Sequence, residues 1–266
     1  MSRIHSTAVV ADGATIADDV EIGAYCCLGD EVTVEAGVVL HPHVVVAGKA
    51  RIGAGTVVHP FVSLGQPPQY AGFKRQPSGL DIGRNNVLRE YVTMNSGTDA
   101  GGIPTRVGDN GYFMTGVHIA HDCRVGDNVT MANNATLGGH AVIGDYAVIG
   151  GLSAIHQYCR VGKIAMIGGC SAVTQDVVPF AMAVGNRARL RGLNVVGLKR
   201  RNYSRGDIQA LRAAYRLIFL SAGSFAERLD TVAATFRNDA VVMDLISFIT
   251  ADASRPICKV AAEADA

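Results

Sequence analysis

The 266-residue chain contains no tryptophan, and aromatic residues make up only 6% of it. So few large rings argue against a wide core and suit a narrow, aliphatic interior. The chain also lacks a run of about 18 apolar residues, which a membrane-spanning helix would require. Its formal net charge is only +1, so the chain as a whole does not have the charge of a nucleic-acid-binding protein.

The six cysteines show no Cys-X-X-Cys spacing, and the first residues lead directly into a repeat without the form of a signal peptide. We therefore expect a cytoplasmic protein with reduced thiols. Most of these cysteines are expected to be small core or turn residues without a catalytic role.

What the sequence does contain is a period of six residues. In the segment 107–173 an apolar residue returns at every sixth position: Val107, Phe113, Ile119, Val125, Met131, Leu137, Ile143, Ile149, Ile155, Val161, Ile167 and Val173. The same period runs from Ile4 to Leu64. Helices repeat at about 3.6 residues and strands at about two, so this period indicates a parallel β-helix. Three hexads would close one triangular coil, which places residues 18 apart over one another.

Two segments, 66–80 and about 95–106, break the period and are expected to leave the coil as loops. The period ends at Pro179, and the chain then changes character. The predicted fold class is mainly β: a left-handed parallel β-helix of hexapeptide repeats over residues 1–186, followed by a small C-terminal α-helical domain over residues 187–266.

Three helices are expected in that second domain. Ser204 followed by Asp207 is typical of a helix N-terminus, because each side chain can bond the other residue's backbone amide. Two further helices are predicted near 224–237 and 239–250, and the tail after Pro256 is predicted to fray.

Four of the eight histidines fall together on the 18-residue map. His121, His140 and His156 occupy nearly the same corner on three successive coils, and His118 lies near His121 on one of them. A turn position readily tolerates one histidine, but four on one edge indicate function. Such a set could ligate zinc or perform acid–base catalysis, and the spacing alone leaves both possibilities open.

Several motifs follow one another in a specific order. They are His118-Ile119-Ala120-His121-Asp122-Cys123, Ala132-Asn133-Asn134-Ala135-Thr136-Leu137, Gly139-His140, Ile149-Gly150-Gly151, His156-Gln157-Tyr158-Cys159, Gly168-Gly169-Cys170-Ser171 and Gly197-Leu198-Lys199-Arg200-Arg201. Over nearly its whole length the chain resembles the acyl-carrier-protein-dependent UDP-N-acetylglucosamine O-acyltransferases, which open lipid A synthesis in Gram-negative bacteria. Solenoids of this kind commonly form trimers about an axis along the coil, and we expect a homotrimer here.

The resemblance implies a role for each matching residue. His121 would be the general base, Asp122 the carboxylate that orients it, and Gly139 the backbone donor to the oxyanion. Gly169 would limit the length of the acyl chain. Two further groups of residues would bind substrate. The sugar, phosphates or pantetheine would be bound by His118, His140 and His156. The UDP part would be bound by Gln157, Asn194, Arg200 and Arg201.

No metal or separate cofactor is implied, because the acyl donor is carried on the phosphopantetheine of acyl carrier protein. Charge supports an acidic partner independently of the resemblance. Seven basic residues and no acidic ones lie between Asn186 and Gly206. Such a basic segment suits acyl carrier protein, which is acidic, or a diphosphate.

The chain also departs from the family pattern. The first loop lacks the Asp and Lys that usually precede its Tyr, and Lys74 or Arg75 are possible replacements for the cation. Val196 and Arg187 stand where a Glu and a His are common. These departures leave open a UDP sugar with a 3-amino group, which would give an amide. A zinc-dependent enzyme resembling γ-type carbonic anhydrases and a non-catalytic scaffold are the remaining alternatives.

Overall fold

The structure is a computed structural model that describes residues 2–74, 77–98, 104–252 and 254–261. Within these ranges the chain forms 28 short strands and four helices. The strands stack into three sheets, one on each side of a triangular solenoid, and all pairs are parallel except the last pair of the first sheet. This confirms the predicted left-handed parallel β-helix.

The sheets are named here in the order in which the chain visits them. The first sheet contains Arg3–Ile4, Glu21–Ile22, Val39–Leu40, Val57–Val58, Val87–Leu88, Tyr112–Phe113, Thr130–Met131, Val148–Ile149, Met166–Ile167, Ala181–Val184 and Arg189–Leu193. The second contains Val9–Val10, Cys27–Leu28, Val45–Val46, Ser63–Gln66, Thr93–Asn95, His118–Ile119, Thr136–Leu137, Ala154–Ile155 and Ala172–Val173. The third contains Thr15–Ile16, Thr33–Val34, Ala50–Ile52, Leu80–Ile82, Thr105–Val107, Arg124–Val125, Val142–Ile143 and Arg160–Val161.

The strand register explains the six-residue period. Ile119 pairs with Leu137, which is 18 residues further along the chain, and Leu137 pairs with Ile155. Because neighbouring side chains of a strand point to opposite faces, the repeated aliphatic residue points inward on every coil. Ile119 and Leu137 are fully buried. The aliphatic column is therefore the core of the solenoid.

The strand register shows that both predicted interruptions are insertions into the coil, although 75–76 and 99–103 lie outside the described residues. Ile82 pairs with Ile52 and Phe113 pairs with Leu88, so these two coils take 30 and 25 residues instead of 18. The pairing resumes in register after each loop, and the core continues without a break.

The three corners of the solenoid share one recurrent backbone conformation, in which a non-glycine residue has φ near +60°; it is found on most coils at two corners and on three coils at the corner between the second and third sheets. We name two of the corners by their residues at this position and the third by Arg201, which packs on its Tyr146. The aromatic corner, between the first and second sheets, carries Tyr25, His43, Phe61 and Tyr91; the histidine corner, between the second and third sheets, carries Asp122, His140 and Tyr158; the arginine corner, between the third and first sheets, carries Asn128, Tyr146 and Ile164.

The helical part begins with a helix that sequence reasoning missed. Helix α1 spans Val195–Arg200, and the side chain of Asn194 caps it by accepting from the Gly197 amide. The predicted helices are confirmed as α2 (Arg205–Leu220), α3 (Phe225–Thr235) and α4 (Ala240–Ala251).

The cap of α2 confirms the reading of the Ser204 signal, since the side chains of Ser204 and Asp207 each bond the other's backbone amide. The division into domains at residues 186 and 187 stays a prediction. Among the described helices none is both long and apolar enough to cross a membrane.

Over the described residues 257–261, the expectation of a frayed tail after Pro256 is wrong. Ile257 bridges to Asp176, Val260 bridges to Leu190, and Cys258 is buried. The tail therefore adds a short parallel segment to the end of the solenoid. Arg160 strengthens this junction: it pairs with the buried Asp176 at 2.6 Å and donates to the Asp252 carbonyl at the end of α4.

Candidate active site

A cleft of about 500 Å³ opens at the histidine corner. Its walls come from three separate parts of the chain. The lining residues are Tyr70, Gly72, Phe73 and Lys74 of the first loop, Thr98 of the second loop, and His121, His140, Gln157 and Tyr158 of the coil. The 18-residue map had placed the histidines on one corner, and the loops close over that corner.

His121 and Asp122 form a hydrogen-bonded pair in this cleft. The Nδ1 atom of His121 lies 2.8 Å from Oδ2 of Asp122. An ionised carboxylate can only accept, so this bond places the imidazole proton on Nδ1 and leaves Nε2 as an acceptor. The side chains are 21% and 10% exposed, so the pair is largely shielded but reachable from the cleft.

Asp122 is held in its ionised form by its neighbours. Burial opposes ionisation, but hydrogen bonds from Thr98 and His121 outweigh it and keep the pKa of Asp122 below its ordinary value. Thr98 donates through both its backbone amide and its hydroxyl, and Nε2 of His140 lies 3.4 Å from the same carboxylate. The carboxylate therefore joins two histidines and the second loop.

Gly139 lies directly against the His121 ring. A Cβ atom at this position would come within 2.5 Å of Cε1 of His121, so no other residue fits without displacing the imidazole. The Gly139 amide donates no hydrogen bond to any of the described residues, while its carbonyl accepts from Tyr158 at 3.0 Å. A free donor thus lies beside the candidate base.

The other histidines differ in their surroundings. His140 stacks on Tyr158, with ring centroids 4.5 Å apart, and meets the edge of His121 at 5.3 Å. His118 points outward from the second sheet and bonds Thr93 at 2.8 Å; burial and the nearby His121 lower the pKa of His118. Both effects favour the neutral form of His118.

His156 lies outside the lining of the cleft. It occupies the next coil of the same corner, where its ring nitrogen Nδ1 lies 3.1 Å from the Gln157 carbonyl and 3.5 Å from Arg255 of the tail. Gln157, in contrast, lines the cleft directly.

Four of the residues singled out in the sequence lie at other corners. Asn194 caps α1 and donates to the Ile164 carbonyl at the arginine corner. Arg200 ends α1 on the surface, and the guanidinium of Arg201 lies 3.8 Å from the ring centroid of Tyr146. Gly169 is exposed on the continuation of the aromatic corner. Within the described part of one chain, these residues do not line the cleft that contains His121.

The zinc alternative has some geometric basis. One ligand atom from each of His121, Asp122 and His140 lies within 4.8 Å of the others, which is a spacing that a metal ion accepts. Cys123 offers no support for thiolate chemistry, because burial raises the pKa of its thiol to about 12.

Tyr158 and Thr98 are among the residues that line the cleft without having been predicted from the sequence. Tyr158 lies 18 residues after His140, so the coil map itself could have identified it. Thr98 lies in a loop outside the period, and no signal in the map pointed to it. Lys74 lines the cleft as one of the two candidate replacement cations, whereas Arg75 lies outside the described residues.

Residues 176–258 match the family model of domain 2 of UDP N-acetylglucosamine O-acyltransferase, and residues 104–139 match the model of six bacterial transferase hexapeptide repeats. The solved structure of UDP-N-acetylglucosamine O-acyltransferase from Moraxella catarrhalis superposes with a TM-score of 0.93, at 38% identity, over 96% of this chain and 99% of that one.

Curated relatives are closer in sequence. The acyl-[acyl-carrier-protein]–UDP-N-acetylglucosamine O-acyltransferase of Caulobacter vibrioides is 52% identical over 96% of this chain and 97% of its own length. The enzyme of the same description from Azorhizobium caulinodans is 51% identical over 97% and 95%. With this identity over nearly the whole of both chains, the chain belongs to the family of acyl-[acyl-carrier-protein]–UDP-N-acetylglucosamine O-acyltransferases.

Proposed function

We propose that the chain transfers a 3-hydroxyacyl group from acyl carrier protein to the 3-hydroxyl of UDP-N-acetylglucosamine, the first step of lipid A biosynthesis. The observation that carries this proposal is sequence identity: the chain is 51% and 52% identical to two enzymes of that description over nearly its whole length. The hydrogen-bonded pair of His121 and Asp122 in a cleft supports it. The acyl donor arrives as a thioester on phosphopantetheine, so no separate cofactor is needed.

In the proposed reaction, His121 is the general base. Its Nε2 atom accepts the proton of the sugar 3-hydroxyl while Asp122 stabilises the resulting imidazolium. The sugar oxygen attacks the thioester carbon, and the C–S bond then breaks. The imidazolium returns its proton to the departing thiolate, so the reaction gives an ester and the free thiol of the carrier.

Gly139 supplies the proposed oxyanion donor. Its amide has no partner within the described residues and lies beside the base, where negative charge develops on the thioester oxygen. A side chain here would displace His121, which gives the glycine a second reason to be present.

We propose substrate roles for the remaining residues. His118, His140 and His156 line or flank the histidine corner and would bind the sugar, phosphates or pantetheine. Gln157 would reach the UDP part from the cleft, and Arg200 and Arg201 would bind its diphosphate. Asn194 caps the helix that carries both arginines, so it would also hold them in place.

We propose that the active enzyme is a homotrimer, because the UDP-binding arginines lie at a different corner from the base. The third sheet presents charged residues outward, including Arg51 and Arg124, and suits solvent. The aromatic corner presents exposed rings and Leu152, which is 65% exposed. Such an apolar edge is typical of an interface.

A threefold axis along the aromatic corner would place the second sheet of one subunit against the first sheet of the next. The histidine corner of one copy would then face the arginine corner of its neighbour, and each site would combine His121 from one copy with Arg201 from another. We also propose that Gly169 limits the acyl chain, because this exposed glycine would lie at the same interface.

The proposed protein partner is acyl carrier protein, and the proposed location is the cytoplasm, where that carrier supplies acyl groups. Lys199, Arg205 and Arg212 line one concave site next to α1 and α2, which continues the basic segment seen in the sequence. This cationic surface suits the acidic carrier.

The second candidate, zinc chemistry, rests on the grouping of His121, Asp122 and His140. In the structure Oδ2 of Asp122 already accepts from Thr98 and bonds Nδ1 of His121, and Nε2 of His140 lies 3.4 Å from the same oxygen. We therefore propose that the three act as a hydrogen-bonded acid–base unit. Treatment with a chelator should leave acyl transfer unchanged.

A mass-spectrometric transfer assay tests the proposed function and the acceptor atom together. UDP-N-acetylglucosamine and its 3-amino analogue would compete for a panel of 3-hydroxyacyl carrier proteins. We expect the ester on UDP-N-acetylglucosamine. Exclusive formation of the amide would instead assign the departures in the first loop to a changed acceptor, and the absence of both products would contradict the proposal.

A further inference from the structure

The carboxylate of Asp122 is held from outside the solenoid. Thr98 donates its amide to Oδ1 at 2.8 Å and its hydroxyl to Oδ2 at 2.6 Å. Thr105, the first residue of the strand that follows this loop, accepts from the Asp122 amide at 2.8 Å. Thr98 of the second loop therefore fixes the side chain of Asp122, and the strand after the loop fixes its backbone.

This arrangement matters because one oxygen serves several donors. Oδ2 of Asp122 lies 2.8 Å from Nδ1 of His121 and 3.4 Å from Nε2 of His140. The terminal torsion of an aspartate is broad, so an unrestrained carboxylate can turn from one histidine towards the other. Two simultaneous bonds to Thr98 remove that freedom.

We propose that Thr98 is a positioning residue for the transfer reaction: it holds the Asp122 carboxylate against Nδ1 of His121 and thereby keeps Nε2 free to accept a proton. The inference rests on the proposed role of His121 as the base. It assigns a role to the second loop in setting the tautomer of that base, which the coil alone does not fix.

Two substitutions separate the hydroxyl from the rest of the side chain. Thr98→Val keeps the shape and the amide bond but removes the hydroxyl donor, whereas Thr98→Ser keeps both donors. We expect Thr98→Val to lower kcat about tenfold with KM changed less than about twofold, because the base is misoriented in a fraction of molecules. Thr98→Ser should restore kcat to within about twofold of the wild type.

A spectroscopic measurement tests the tautomer without relying on activity. In protein with ¹⁵N-labelled histidine, the His121 signals can be assigned by comparison with His121→Asn. We expect the fraction of His121 protonated at Nδ1 to fall in Thr98→Val and to recover in Thr98→Ser. Thr33→Val, on the third sheet, is the matched control and should change neither the tautomer nor kcat.

The outcomes are distinct. An unchanged His121 tautomer in Thr98→Val would overturn the inference, as would a raised KM with unchanged kcat, which would make Thr98 a substrate contact. If the wild type acylated neither sugar, the proposed function would fail, but the tautomer measurement would still decide the role of Thr98.

Discussion

The aromatic corner and the histidine corner share one backbone conformation but arrange their side chains differently. Phe61 and His140 both occupy the left-handed position of a turn, with φ of 64° and 61°. Phe61 stacks between His43 and Tyr91 at 5.0 and 5.2 Å, in a column of parallel rings open to the surface. His140 is stacked only on one side and turns its edge to His121.

The difference comes from the loops rather than from the coil. At the aromatic corner the rings of four coils form one stack, from Tyr25 to Tyr91. At the histidine corner, residues of both loops join the coil around one cleft. A solenoid thus provides equivalent positions, and the segments that break its period determine which of them becomes a site. The predictions below test that division, beginning with the largest expected effect.

Replacing His121, the proposed base, should remove activity and leave assembly intact. We expect His121→Ala to lower kcat by about 10³-fold, since a positioned general base contributes about 10²–10⁴-fold. The circular dichroism spectrum and the sedimentation of the variant should match the wild type, because the imidazole is not part of the core. Retention of more than a tenth of the wild-type kcat would refute the assignment.

A charge on the aromatic corner should disrupt assembly and should lower activity only as a result. We expect Phe61→Asp to dissociate the proposed trimer, because three carboxylates would meet near the axis without compensating cations. Activity should then fall with the trimer fraction and recover partly at high protein concentration. Analytical ultracentrifugation measures this directly, with Arg124→Glu on the charged third sheet as the control. A Phe61→Asp variant that remains fully trimeric would contradict the proposed axis.

The six-residue period determines how much of the two corners could be predicted from the sequence. The 18-residue count placed His121 and His140 on one corner and would have placed Tyr158 there too. It could not predict the positions of Thr98 or Lys74, because loop residues have no fixed offset from the coil. The pairing of Ile257 with Asp176 was not predicted for a related reason: this segment is added only once, so it leaves no repeat in the sequence.

The continuation of the aromatic corner offers a finer test at Gly169. A Cβ atom there would lie 3.4 Å from the Gly151 carbonyl oxygen, so substitution is compatible with the fold. If Gly169 limits the acyl pocket, Gly169→Met should shift the preferred donor towards chains several carbons shorter, by about tenfold in kcat/KM between donors. Gly169→Ala should shift it less. An unchanged preference in the methionine variant would show that the acyl chain lies elsewhere.

The smallest effect concerns stability at the histidine corner. Since the pKa of Asp122 is lower in the folded protein than in the unfolded chain, its ionised form favours folding above the ordinary aspartate range. This contribution is lost as the pH falls through the folded-state pKa, because the proton then binds both states. We therefore expect Asp122→Asn to lower Tm more at pH 7 than at pH 3. Leu152→Ala, at the uncharged continuation of the aromatic corner, should change Tm by the same amount at both values, so a similar pH dependence in both variants would show that the Asp122 contacts are not its source.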